Sequence, residues 1–93
     1  MAKVLAETLK TGDVILPPAR EVQLWMRRSC QERNLPETAL HLTVRNVREG
    51  RADKRGRWLV ISCDQSPEWT KDQTTTFPFT FKARPETPWA KVA

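Results

Sequence analysis

The chain has 93 residues, enough for one domain with a thin core, and its 39% hydrophobic and 29% charged content is that of a globular protein rather than a disordered one. Sixteen Lys and Arg against eleven Asp and Glu give a net charge of +5, which favours a polyanionic partner. One His and two widely spaced Cys leave little for acid–base, nucleophilic or metal chemistry, and no stretch approaches the ~20 apolar residues of a membrane span.

Val4-Leu5-Ala6 reads as a first short strand and Val14-Ile15-Leu16 as a second, joined by a turn over Leu9 to Asp13 and stopped by Pro17-Pro18. A Leu, two residues, Gly-Asp and then a β-branched pair resemble the start of many small SH3-like barrels, a likeness of fold that carries no activity. From Ala19 to Asn34 the pattern becomes helical, with Pro18 near the first turn, Glu21 early, and Asn34-Leu35-Pro36 as a stop. Val22, Trp25, Met26, Ser29 and Cys30 share one arc and are expected to face the core, while Arg20, Gln23, Arg27, Arg28, Gln31 and Glu32 lie outside it. Leu24 breaks that pattern, and Val22-Leu24-Met26 also fits the inner face of a strand.

Leu40 to Arg45 alternates as a half-buried strand with Leu40, Leu42 and Val44 inward and His41 outward, and the phase slips at Asn46 so that Val47 points in after a bulge. A polar connection over Arg48 to Arg57 leads to Trp58-Leu59-Val60-Ile61-Ser62-Cys63, whose near-continuous apolar run suits a central strand covered on both sides. These two strands are expected to form an antiparallel hairpin. Ser66 to Thr76 reads as a polar loop, and Phe77 to Arg84 as a strand with Phe77, Phe79, Phe81 and Ala83 on one face and Thr80, Lys82 and Arg84 on the other. Pro78 places the start of that strand at an edge, and residues 85–93 read as an extended tail tied down by Trp89.

The expected fold is therefore a single α+β domain over residues 1–93. It is a small antiparallel β-barrel or strongly bent sheet, SH3-like, of four or five strands, with one amphipathic helix inserted after the second strand. The expected core is Leu5, Leu9, Val14, Ile15, Val22, Trp25, Met26, Leu40, Leu42, Val44, Trp58, Val60, Ile61, Phe77, Phe79 and Phe81. Cys30 and Cys63 form neither a CxxC nor a zinc pattern and read as two reduced, buried thiols. The start of the chain carries no apolar run of signal-peptide length, so the expected location is the cytoplasm.

The sharpest functional feature is the basic connection, where Arg48, Arg51, Lys54, Arg55 and Arg57 stand against Glu49 and Asp53. Cations on a Gly-hinged hairpin can follow a phosphate backbone and supply affinity with little sequence information. Arg20, Arg27 and Arg28 on the outer helix face form a second basic group, of which Arg27 and Arg28 are candidate contacts, and Trp69 and Trp89 are candidates for stacking or partner contact, or else pegs that pin the chain. These features point to a small basic module that contacts nucleic acid, DNA or RNA, with no catalytic residue, no metal and no cofactor, and an oligomeric state that the residues do not specify. The alternative is a protein-interaction module that uses the strand edge at 77–84 or the Pro-Trp tail. A third reading comes from Arg57 to Ser62 following a Gly-Asp strand, which resembles the small-barrel endoribonuclease toxins of toxin–antitoxin pairs and implies RNA cleavage. The chain departs from that pattern, because Trp58 stands where those toxins carry Pro and a whole helix intervenes.

Overall fold

The computed structural model describes residues 2–18, 20–69 and 78–92. Six strands run in the order β1 (Ala2–Leu5), β2 (Val14–Ile15), β3 (Leu42–Glu49), β4 (Leu59–Gln65), β5 (Pro78–Ala83) and β6 (Pro88–Lys91), with one α-helix, α1 (Arg20–Arg33), between β2 and β3. The described residues thus form an α+β fold, with the helix inserted after the second strand as its periodicity implies. All pairings are antiparallel, and the spatial order is β1-β6-β2-β3-β4-β5. The sheet curls into a half-barrel, because β5 and β6 follow each other in sequence yet lie on different arms of the sheet. Across that gap the Phe81 and Trp89 rings meet edge to face at 5.7 Å.

Among the described residues six strands are present, where the sequence suggests four or five. The additional strand is β6, inside the segment expected as a tail, and its Pro88 masks it because a residue without an N–H looks unlike a ladder member. Here the proline occupies the first position of the strand, opposite Leu5, and the rest of β6 bridges β1 and β2. The β3–β4 ladder carries the bulge that the pattern implies, with the register shifting between Val44 and Asn46. Leu40 belongs to a 3₁₀ turn (Glu37–Leu40) before β3 rather than to the strand itself, and His41 is half-buried between them.

A single apolar cluster holds these layers together, and Ile15, Met26, Leu42, Val44, Ile61, Cys63 and Trp89 are its most completely buried large side chains. Each buried Ile, Leu or Met contributes about 1.5–3 kcal/mol relative to an exposed one. The helix reaches this cluster through a narrow stripe of Val22, Met26 and Cys30, one residue per turn. Trp25, expected in the core, is 59% exposed and Leu24 is 56% exposed, because the helix rests on one stripe rather than on a broad face. Leu5, also expected inside, is exposed at the end of β1, Trp58 is half-buried at the mouth of the β3–β4 hairpin, and Val14, Phe79 and Phe81 are partly buried. Ala19, the connection 70–76 and Phe77 lie outside the described residues.

The ends of the helix follow from sequence chemistry. Asn34 adopts φ 56°, the left-handed conformation that Asn tolerates better than most residues, and its N–H donates to Gln31 O at 3.2 Å while Leu35 N–H donates to Cys30 O at 2.8 Å. That pair of bonds caps the last carbonyls, and Pro36 then prevents continuation. At the other end Gln23 Nε2 donates to Pro17 O, tying the first turn back to the segment that follows β2.

Candidate nucleic-acid interface

The basic connection is a folded extension of the β3–β4 hairpin. Pairing continues past Glu49 and Leu59, since Gly50 N–H donates to Trp58 O at 2.8 Å. A Cβ on Gly50 would lie 3.1 Å from Val60 Cγ2 and 3.3 Å from Trp58 O, so a side chain there would crowd the floor of the hairpin. At the tip, Asp53 and Gly56 exchange backbone hydrogen bonds of 2.9 and 3.0 Å, leaving Lys54 and Arg55 as the turn. Gly56 takes φ 120°, a conformation L side chains rarely adopt.

Asp53 is the node that fixes this extension to the sheet. Its Oδ1 accepts the Arg55 amide at 2.8 Å, and its Oδ2 accepts both Trp58 Nε1 and Arg84 Nη2 at 2.8 Å. Arg84 also donates through Nη1 to Gly56 O and Arg57 O, each at 3.2 Å, and its guanidinium lies 3.7 Å from the centre of the Trp58 ring. Hydrogen bonds from Arg84 first, and from Trp58 next, hold the Asp53 carboxyl well below the usual carboxylate range. The negative charge inside the basic loop is therefore cancelled locally by Arg84, whose outward strand position makes it a candidate to join the loop's basic patch but gives no sign of a pairing with Asp53.

The five loop cations expected to contact nucleic acid divide into two groups. Arg57 pairs with Glu49, whose carboxyl the Arg57 hydrogen bond pulls down while Glu49 raises the guanidinium in turn. Arg48, Arg51, Lys54 and Arg55 are exposed, and among the described residues their side chains form no ion pair. The register adds a further cation from β5. Arg48 stands opposite Val60, and Val60 opposite Lys82, so Arg48 and Lys82 flank one buried valine on the same face of the sheet. Between this row and the hairpin lies a cavity of about 320 Å³, lined by Gly50, Arg51, Ala52, Asp53, Trp58, Val60 and Lys82. The arrangement can hold an anion against a partly aromatic floor.

Comparison with protein-family models, curated proteins and solved structures finds no match. What the chain does must be argued from its own residues.

The other expected site residues are distributed elsewhere. Arg27 pairs with Glu37 at 2.9 Å, and Arg28 is exposed on α1. Trp69 is buried in a 3₁₀ turn (Pro67–Trp69), where its Nε1 donates to Ala39 O at 2.7 Å and Arg33 covers its ring at 5.8 Å. Trp89 is 1% exposed. Neither ring is available as a stacking platform, because burial supplies each with protein neighbours in place of solvent. The exposed indole is Trp25 and the half-exposed one Trp58, both of which the helical arc and the strand pattern assign to the core. Cys30 and Cys63 are buried and unbridged. Burial pushes both thiols up, Cys63 to about 11. No group of three His, Cys, Asp or Glu gathers for a metal ion among the described residues, and no described helix is long and apolar enough to cross a membrane.

Proposed function

We propose that the face built by the β3–β4 hairpin extension and the outer side of β5 binds nucleic acid through its phosphate backbone. The observation that carries the reading is that Arg51 and Lys82 line one recess, Arg48 stands across Val60 from Lys82 on the same face of the sheet, and Lys54 and Arg55 form the exposed hairpin turn, none of the five in an ion pair among the described residues. Adjacent strands lie about 4.8 Å apart, which puts the Arg48 and Lys82 backbones roughly 10 Å from one another, within the span that two long side chains need to bridge neighbouring phosphates. Phosphate neutralisation releases counterions, so such a surface gives affinity that depends on salt and little on sequence. The curled sheet is read as an SH3-like scaffold for the hairpin, and the setting as the cytoplasm, where both thiols stay reduced. Arg27 and Arg28 are left outside the interface, since Arg27 is already paired on a different element.

Fluorescence anisotropy with labelled DNA and RNA tests the proposal. The variant R51E/K54E/R55E should lose binding at roughly 50 mM salt, whereas Arg28→Glu should retain it within about twofold. Unchanged binding by the triple variant would remove the hairpin from the interface. Absence of binding by the wild type would direct attention to a protein partner at β5, which lies at the end of the sheet with β4 as its neighbour.

A further inference from the structure

We propose that the cavity beside Trp58 receives an unpaired nucleobase, so that the protein selects single-stranded nucleic acid over duplex. The inference rests on the phosphate-contact reading and adds to it a site for the base.

The cavity has about 320 Å³ and lies between the hairpin and the sheet, with Trp58 and Val60 in its lining and Gly50 contributing backbone alone. That volume is at the lower end of the roughly 300–1,000 Å³ of small-ligand pockets and suits one flat heterocycle rather than a polymer. Arg51 and Lys82 stand in the same lining, so a base inside would leave its own phosphate beside cations. Asp53 also lines the cavity, and its charge is met by Arg84 and its oxygens by three donors, which removes the repulsion that a bare carboxylate would present to a polyanion.

The Trp58 indole is preorganised. Arg84 lies over its ring and Asp53 fixes its N–H, so a base that packs there does not have to immobilise the side chain on binding. A base inside a duplex is already stacked on both faces and turned away from the surface, whereas a single strand can splay one out onto an aromatic wall. The phosphate contacts alone do not distinguish the two forms; the recess does.

Three probes of equal length separate the possibilities: a thymine dodecamer, the same backbone carrying abasic sites, and the corresponding duplex. By anisotropy at low salt, the thymine strand should bind about tenfold more tightly than the abasic strand, the scale of one stacked base. Ala52→Leu, which fills the cavity from an exposed hairpin position, should abolish that difference and bring the two strands to one affinity. Equal binding of the thymine and abasic strands, or duplex binding as tight as the single strand, would overturn the base site and leave the phosphate reading intact. Binding of none of the three would overturn both.

Discussion

At the scale of single residues, Arg84 does the work that the sequence assigns to no one. It neutralises Asp53, covers Trp58 and donates to the Gly56 and Arg57 carbonyls at the hairpin tip, four contacts from one guanidinium. Replacing it by Ala should destabilise the protein by about 1 kcal/mol, the scale of one cation–π contact, and should accelerate amide exchange at Arg55 and Gly56. Lys at this position should recover only part of the effect, since an ammonium cannot reach three acceptors in a planar fork. The pH dependence has a definite sign. The folded carboxyl of Asp53 titrates below its unfolded value of about 3.9, so the pairing contributes fully above that pH and is lost as the solution becomes more acidic. Asp53→Asn should therefore flatten the acid limb of the stability curve, measured by urea unfolding between about pH 2 and 5. The loop cations were legible as a run in the sequence, but the clamp was not, because Asp53 and Arg84 are 31 residues apart and no local pattern links them. The loss of Arg57 to Glu49 was within reach, since an antiparallel hairpin over this connection brings the two across the strands.

At the scale of elements, the helix shows how far periodicity goes. It gave the right element and a sound stop at Asn34, yet an arc wide enough to include Trp25 overstated the buried face, which is the stripe Val22, Met26 and Cys30. Met26→Ala should cost about 2–5 kcal/mol because it leaves a cavity under the helix. Trp25→Ala should change stability by less than about 0.5 kcal/mol, the range of substitutions at exposed positions. Chemical denaturation of the two variants side by side checks the assignment, and a Trp25 cost as large as that of Met26 would refute it. The β3–β4 hairpin was more fully legible, because a bulge leaves a phase slip in the alternation and a doubly covered strand leaves an apolar run. The short strand β6 was not, since four residues starting with Pro carry too little alternation to be told from an extended tail.

At the scale of the whole molecule, Trp89 joins the two arms of the sheet, pairing through its backbone with Val4 and packing its ring on Phe81. Trp89→Ala should cost about 3–5 kcal/mol, a large share of the 5–15 kcal/mol that holds a domain together, and thermal unfolding reads it directly. Its indole N–H is buried without a hydrogen-bond partner among the described residues, so Trp89→Phe should be tolerated far better than Ala. Cys63 reports on the same core. Its folded value near 11 lies above that of an unfolded thiol, so its contribution to stability is intact at neutral pH and declines as pH rises from about 8.5 toward 11. The central claim concerns the surface that this core supports, and the salt dependence of single-strand binding tests it most directly. With five cations engaged, log Kd should vary with log salt with a slope of magnitude ~3.5, and R51A/K54A/R55A should reduce that magnitude by ~2. A slope near zero, or one that the triple variant leaves unchanged, would contradict the account.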